Sequence, residues 1–206
     1  MGVDTHACPP PRIAVVGWGS LIWDPRELPL RSTWQPDGPA LPVEFTRVAS
    51  DGRLALGLRG GVGDVQTLWA IMSGGELEVA RSQLAERERT VPDRIGCLDR
   101  RGAGCLDSLA SISRVGPEVG DGDLVRRLGS WLADRRLDAV IWTALPPNFE
   151  ERAGLALSVS AAVSYLEQVP DEVRRRAEQY VRRAPPQVRT DIRRGLERVL
   201  GWTPMM

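Results

Sequence analysis

The sequence predicts an α+β fold with a mixed sheet or a small β-barrel. Strand-like segments are concentrated in the first 145 residues, with helical segments between them, and the rest of the chain has a helical pattern. This arrangement of strands and helices is typical of α+β proteins. At 206 residues, the chain is long enough to bury a sizeable core, and we expect one domain, 1–206.

Strands are predicted where apolar and β-branched residues run between turn signals. The first is Ile13–Val16, and the connection Pro25–Pro42 has the composition of a long surface loop. Three further strands begin near Leu41, Arg53 and Val65. Turn residues separate them, so we expect two of the three to form a hairpin.

Helices are predicted from apolar spacing and capping residues. After Gly74-Gly75, a helix is expected from Glu76 to about Arg89, followed by a loop over Val91–Asp107. A strand begins at Leu109, and Asp123 is a plausible N-cap for the next helix.

The last third of the chain completes the pattern. DAVIWTAL, from Asp138, is a strong strand. The remainder is expected to be helical to Trp202, with breaks at Pro170 and at Pro185-Pro186. Asn148 is predicted to cap the first of these helices.

Charge and composition argue against several classes of function. Basic and acidic residues both number 27, so no net charge attracts the chain to nucleic acid or to anionic membranes. No window approaches a transmembrane span or a secretory signal, and we expect a cytoplasmic protein. Cys8, Cys97 and Cys105 lack the spacing of a zinc site, so reduced thiols and no metal are expected.

The stretch VVGWGSLIW, residues 15–23, resembles two known motifs without matching either. The dinucleotide pattern G-x-G-x-x-G that starts at Gly17 needs a third glycine where Ile22 stands. A nucleophile elbow around Ser20 needs glycine at the positions of Trp18 and Ile22. His6 is the only histidine and lies in a proline-flanked terminus, so we expect any chemistry to depend on carboxylates, hydroxyls, backbone amides and arginines, with a carboxylate as the proton carrier.

Glu88 is the carboxylate that the helical pattern singles out. Leu77, Ala80 and Leu84 form the apolar stripe of the predicted helix, and Glu88 lies roughly 20° from the direction of Leu77. Glu86 points away from the stripe. A carboxyl against an apolar wall loses hydration, which raises its pKa toward the range of a general base. The alternative is that the helix has ended or frayed by position 88, which would leave Glu88 as a surface acid or as a partner for a nearby arginine.

With VVGWGSLIWDP and LAERE together, the chain resembles the γ-glutamyl cyclotransferase family, which includes the ChaC-like glutathione-degrading enzymes. Trp18-Gly19-Ser20-Leu21 stands where that family usually has Tyr-Gly-Ser-Leu, and Glu88 stands at its catalytic glutamate. The resemblance implies a small mixed β-barrel flanked by helices over about 12–145. The helical C-terminal extension over about 148–202 lies outside the resemblance and is predicted from the residue pattern alone. The tyrosine that often follows the family's glutamate is absent, since this stretch reads TVPDRIGCL.

The resemblance also implies an activity. The α-amine of a γ-glutamyl group attacks its own γ-carbonyl, and 5-oxoproline and an amine are released without a cofactor. Glu88 would move the protons, and Gly17, Trp18, Gly19, Ser20 and Leu21 would bind the substrate. Backbone amides freed by the glycines would hold its carboxylate or the oxyanion.

Other interpretations stay open. The loop could be a simple Gly-Ser turn, and Trp18 and Trp23 could both be packing residues. Trp142 and Thr143 could either face the site or fill the core. The chain could be a non-catalytic protein that binds a γ-glutamyl or amino-acid ligand, or a biosynthetic enzyme that removes a γ-glutamyl protecting group. The partner expected in each case is a small molecule; the sequence leaves the leaving amine and the oligomeric state open.

Overall fold

The structure, a computed structural model, describes residues 10–100 and 121–205. Its fold is α+β, with strands mainly in the first part of the chain and four helices in the last. The strands are β1 (Ile13–Gly17), β2 (Ala40–Leu41), β3 (Val43–Val48), β4 (Leu54–Leu58), β5 (Val65–Gln66), β6 (Leu68–Ile71), β7 (Ile95–Asp99) and β8 (Ala139–Thr143).

The helices follow the predicted order. A 3₁₀ turn also spans Pro92–Arg94. None of the helices in the described ranges combines the length and the apolar character needed to cross a bilayer. The helices are α1 (Leu77–Glu88), α2 (Asp121–Asp134), α3 (Phe149–Ala153), α4 (Val159–Gln168), α5 (Asp171–Arg183) and α6 (Asp191–Leu200).

A four-stranded mixed sheet in the order β6-β1-β8-β7 forms the centre of the fold. Strand β1 is parallel to β8 and antiparallel to β6, and every residue of β1 is buried. Successive side chains of a strand point to opposite faces, so Ala14 and Val16 pack in one apolar cluster and Ile13 and Val15 in the other. Both faces of the sheet are therefore covered, which explains the unbroken apolar run of β1.

Helix α1 covers one face of this sheet through the predicted apolar stripe. Ala80 and Leu84 are buried beside Ile141 of β8, and Leu77 packs at the margin of the same cluster. The stripe is thus confirmed, and it fixes the direction in which the C-terminal end of α1 approaches the loop after β1.

The predicted hairpin is formed by β3 and β4, which pair antiparallel. Its turn contains Gly52 in the left-handed region, with φ of 83°, a conformation that glycine adopts without steric cost. The register shifts between Glu44 and Arg47, so β3 carries an irregularity of the β-bulge type.

The C-terminal helices dock on β3 through a buried carboxylate. Oε1 of Glu44 accepts a hydrogen bond from the amide of Phe45 at 2.6 Å, and Oε2 accepts one from the amide of Ile192 in α6 at 3.1 Å. Burial raises the pKa of Glu44, and hydrogen bonds from Thr190, Phe45 and Ile192 oppose that rise. The side chain thereby satisfies an amide of the first turn of α6 that has no helical partner.

Arg193 anchors the chain between α5 and α6. Its side chain is almost completely buried and donates to the carbonyls of Ala184, Pro185 and Val188. The breaks predicted at Pro170 and at Pro185-Pro186 lie between helices as expected. The C-terminal helices are therefore held to the sheet by specific polar contacts in addition to apolar packing.

Three sequence predictions about secondary structure need correction. The loop expected over Val91–Asp107 contains β7, which pairs antiparallel with β8. The missed strand has Gly96 opposite Trp142, where a Cβ would lie 2.1 Å from the indole, so long-range packing decides this strand. Asp123 lies inside α2 instead of capping it. Asn148 precedes α3, but its side chain hydrogen-bonds the backbone of Val48 instead.

The barrel is not formed by the strands of the described residues, whose sheets are one of four strands and two of two strands. Several predicted features cannot be compared because they lie outside residues 10–100 and 121–205. These are His6, Cys8, Cys105 and the strand expected from Leu109. Cys97 is buried in β7.

Candidate functional site

A cavity of about 470 Å³ lies where the loop after β1, the end of α1, the β3–β4 hairpin and α5 meet. We call it the main cavity. Its size falls within the usual range for a small-molecule site, roughly 300–1,000 Å³. Glu88 and all five residues of the loop that the sequence singled out line it: Gly17, Trp18, Gly19, Ser20 and Leu21.

These five loop residues differ in how they meet the cavity. Gly17 ends β1, and a Cβ there would lie 3.1 Å from the indole of Trp34. Trp18 and Leu21 are buried in the two apolar clusters on opposite sides of the sheet. Between these two packed side chains, Gly19 lies against the hydroxyl of Tyr180, and a backbone hydrogen bond joins Ser20 to the same tyrosine.

The loop turns tightly after Gly19. The amide of Ile22 donates to the carbonyl of Gly19 at 3.0 Å, and the amide of Asp24 donates to the carbonyl of Ser20 at 2.9 Å. The carbonyl groups of Gly19 and Ser20 accept these hydrogen bonds and therefore point back into the turn. The two glycines that frame Trp18 leave room for neighbouring rings, Trp34 beside Gly17 and Tyr180 beside Gly19.

Glu88 is the last residue of α1, and its side chain is 16% exposed. Its Oε1 accepts hydrogen bonds from the guanidinium of Arg87 at 2.7 Å and from the hydroxyl of Thr143 at 3.2 Å. The sequence predicted an apolar wall around this carboxyl, and that prediction is wrong. The helix ends here with Arg89 in the left-handed conformation. Thr143 follows Ile141 by two residues on β8, so the stripe of α1 meets a hydroxyl at the position of Glu88 where it meets an apolar side chain one turn earlier.

Arg87 connects the end of α1 to the loop after β1. Its buried guanidinium donates to the carbonyl of Asp24 at 2.6 Å, approaches the Ser20 hydroxyl at 3.4 Å and pairs with Glu88. Arg26 returns a hydrogen bond to the carbonyl of Arg87 at 2.9 Å. One side chain therefore sets the spacing between the loop and the carboxylate.

Cations outnumber anions around the main cavity, because five arginines line it beside the two acids Asp51 and Glu88. Burial lowers the pKa of Arg47, and the neighbouring charge of Arg94 lowers it further, whereas Glu88 raises it. The lining therefore favours an anionic ligand. The five arginines are Arg26, Arg47, Arg53, Arg87 and Arg89.

Tyr180 enters the cavity from α5, in the part of the chain that the sequence comparison with known motifs did not cover. Its side chain is buried, and the guanidinium of Arg53 lies 5.1 Å from the centre of its ring. Burial raises the pKa of Tyr180; backbone hydrogen bonds with Leu56 and Ser20 and the charge of Arg53 oppose the rise. The group remains a neutral phenol, and its side chain lines the main cavity.

No sequence pattern indicated that Arg47, Arg53 and Tyr180 belong to the site. Arg47 and Arg53 flank the β3–β4 turn, and their spacing in strands carries no signal for a shared cavity. Tyr180 stands on the apolar face of α5 with Ala177 and Val181, which reads as ordinary core. Thr143 was left undecided between core and site, and the structure places its hydroxyl against Glu88.

Comparisons of the chain with models of protein families, with curated proteins and with solved structures found no match.

Proposed function

We propose that the protein is a γ-glutamyl cyclotransferase that releases 5-oxoproline and an amine from a γ-glutamyl compound. The observation that carries the proposal is that Glu88 and the loop Gly17–Leu21 line the same cavity. The helical pattern singled out Glu88, and the resemblance assigned substrate binding to the loop; the two segments are far apart in the chain, since Ser20 and Arg87, the side chain that joins loop and helix, are 67 positions apart.

Glu88 is the proposed proton carrier. The ammonium group of the γ-glutamyl unit gives a proton to Glu88, and the free amine nitrogen attacks the γ-carbonyl carbon. A new C–N bond closes the five-membered ring as the amide C–N bond breaks. The proton held by Glu88 then passes to the leaving nitrogen as the amide bond breaks. The ring nitrogen gives up its second proton to Glu88, which delivers it to the released amine, so the products are 5-oxoproline and an ammonium ion, atoms and charges balance, and no cofactor takes part.

Thr143 and Arg87 keep the proton carrier in place. Both donate to the same oxygen of Glu88, Oε1, so these contacts leave Oε2 for the substrate. Holding one oxygen from two sides restricts rotation of the carboxylate, and orientation of this kind contributes strongly to intramolecular reactions.

The charged lining supports the choice of substrate. A γ-glutamyl group carries an α-carboxylate, and the five arginines of the main cavity supply cationic donors for it. The Tyr180 hydroxyl and the backbone of Gly19 and Ser20 complete a polar wall opposite. In this proposal Tyr180 supplies the phenol that the family carries shortly after its glutamate.

The small mixed β-barrel of the family stays part of this proposal. The described residues supply its mixed central sheet, flanked by helices, and the hairpin β3–β4 beside it.

A second candidate is a non-catalytic protein that binds a γ-glutamyl or amino-acid ligand in the same cavity. The ion pair between Arg87 and Glu88 favours it, since a carboxylate held by a guanidinium also serves as a structural link. Both candidates use the arginine lining, and only turnover separates them.

The test is 5-oxoproline release, measured by mass spectrometry, from glutathione, γ-glutamyl dipeptides and γ-glutamyl amines. Glu88→Gln keeps the size of the side chain and an acceptor oxygen for Arg87 and Thr143. We expect release by the wild type and a loss of at least about a hundredfold in the variant, in line with removal of a general base.

Glu86→Gln is the matched control, because Glu86 lies on the same helix and is exposed. Circular dichroism and thermal unfolding verify that both variants fold. Binding of panel members without release by the wild type would replace the cyclotransferase with the binding protein. Equal release by wild type and Glu88→Gln would remove Glu88 from the mechanism.

A further inference from the structure

A second cavity of about 180 Å³ adjoins the main cavity on the side of α5. We call it the outer compartment. The two cavities adjoin at four residues that line both of them, Ser20, Arg26, Arg53 and Tyr180. A ligand whose γ-glutamyl part occupies the main cavity can therefore extend its other end into the outer compartment.

The outer compartment is rich in positive charge. Four arginines line it beside one lining acid, Asp24, which lies 3.5 Å from Arg26. Asp51 pairs closely with Arg53 at 2.7 Å and reaches Arg176 only at 4.0 Å. The four arginines are Arg26, Arg53, Arg176 and Arg183.

Of the four arginines that line the outer compartment, Arg183 has the fewest carboxylates close to its charge. None of the carboxylates in residues 10–100 and 121–205 forms an ion pair with it. Its guanidinium lies 5.5 Å from the centre of the Trp23 ring. Contact with an aromatic face restrains a guanidinium while its N–H groups remain available, and such a planar fork matches carboxylate and phosphate oxygens.

Arg176 provides a second cation on the same face of α5 as Arg183. Arg176 and Arg183 are seven residues apart on the same helix, which is two turns, so both side chains leave the same face. Tyr180 lies between them and separates the two cavities. Helix α5 thus contributes one group to the main cavity and two cations to the outer compartment.

We propose that the outer compartment binds a carboxylate or phosphate group carried by the leaving amine. The inference rests on the proposed function, since it assigns the second half of a γ-glutamyl substrate to this space. It predicts preference for leaving amines with an acidic group over neutral amines, and exclusion of polycationic amines by like charge.

The experiment uses matched substrates that differ in one charge. γ-Glutamylglycine is compared with γ-glutamylglycinamide, and γ-glutamyl-O-phosphoethanolamine with γ-glutamylethanolamine. We measure kcat and KM by 5-oxoproline release, and binding to Glu88→Gln by calorimetry, which does not need turnover. The carboxylate pair and the phosphate pair distinguish the two acidic groups.

In the wild type, we expect the charged member of at least one pair to be favoured by about fivefold or more, mainly through KM, as two partly exposed ion pairs allow. The double variant Arg176→Gln/Arg183→Gln should reduce that ratio to about one. Arg175→Gln is the control, because Arg175 is an exposed arginine of α5 paired with Glu172 outside both cavities.

Two results would overturn the inference. One is equal kcat/KM and equal binding for the charged and neutral members of both pairs. The other is a charge preference that survives in Arg176→Gln/Arg183→Gln. Release of 5-oxoproline without a charge preference leaves the cyclotransferase intact and removes only the outer compartment. Absence of release with charge-dependent binding to Glu88→Gln removes the cyclotransferase and supports the anion site.

Discussion

The backbone of Gly19 and the hydroxyl of Tyr180 are in such close contact that a Cβ at position 19 would lie 2.3 Å from the phenol oxygen. The phenol is held on its other sides by edge-to-face contacts with Trp23 and Phe45, whose ring centres are 5.3 Å and 6.2 Å away. Position 19 therefore has no room for a side chain, because Tyr180 of α5 occupies the space next to it.

Gly19→Ala should destabilise the protein by about 1–3 kcal/mol, the usual cost of an extra methyl group in a tightly packed place. Tyr180→Phe removes the oxygen and leaves the ring carbon Cζ, which is 3.3 Å from the same position. The double variant should therefore recover much of the loss, measured by urea denaturation as a double-mutant cycle. If the free-energy changes of Gly19→Ala and Tyr180→Phe simply add in the double variant, the contact with the Tyr180 hydroxyl is not what destabilises alanine at position 19.

Thr143→Val should lower 5-oxoproline release by about tenfold, because one neutral hydrogen bond to the carboxylate of Glu88 is lost. Valine retains the shape of threonine, so unfolding by heat should change little. Thr143→Ser is the control, since it keeps the hydroxyl. Loss of release in Thr143→Ser to the same extent as in Thr143→Val would show that packing of the methyl group matters instead.

Arg87→Lys should weaken the hydrogen bonds that connect the loop after β1 to the end of α1. Lysine keeps the charge but cannot reproduce the fork that reaches the Asp24 carbonyl, Ser20 and Glu88 together. We expect a loss of about 2 kcal/mol in the free energy of unfolding, the size of a hydrogen bond to a charged group, and a raised KM. Arg175→Lys, at an exposed position of α5 outside both cavities, is the comparison.

Stability should depend on pH through Glu44. Because its pKa is raised in the folded protein, the folded state binds more protons than the unfolded chain at pH values above the ordinary value of 4.5. The contribution of this group to the free energy of unfolding therefore falls as the pH rises from 4.5 through the folded pKa. Denaturant titrations across this range measure the slope.

Glu44→Gln should remove that slope and destabilise the protein by about 1–3 kcal/mol, because the amide has one acceptor for the two backbone donors. Glu150→Gln is the opposite control. A hydrogen bond from Arg59 lowers the pKa of Glu150, so its contribution is lost as the pH falls instead. An unchanged slope in Glu44→Gln would assign the pH dependence to another group.

Local structure was predictable where neighbouring residues carry the signal. The buried strand β1, the β3–β4 hairpin with its Asp51-Gly52 turn and the apolar stripe of α1 all depend on periodicity and turn chemistry. The position of Glu88 at the end of α1 was also predictable from the helical pattern. Strand β7 was not, since its short apolar run is stabilised by pairing with β8.

The surroundings of Glu88 depended on contacts that no local pattern contains. Thr143, its hydrogen-bond donor, is 55 residues away in the chain, and Tyr180 arrives from a helix that the sequence motifs did not include. The docking of that helix follows from Glu44, Arg193 and the apolar faces together. The sequence by itself determined the strands, the helices and a candidate carboxylate, because these follow from adjacent side chains. Only the tertiary structure decided which cations and hydroxyls share a cavity with it, because that depends on how distant elements pack.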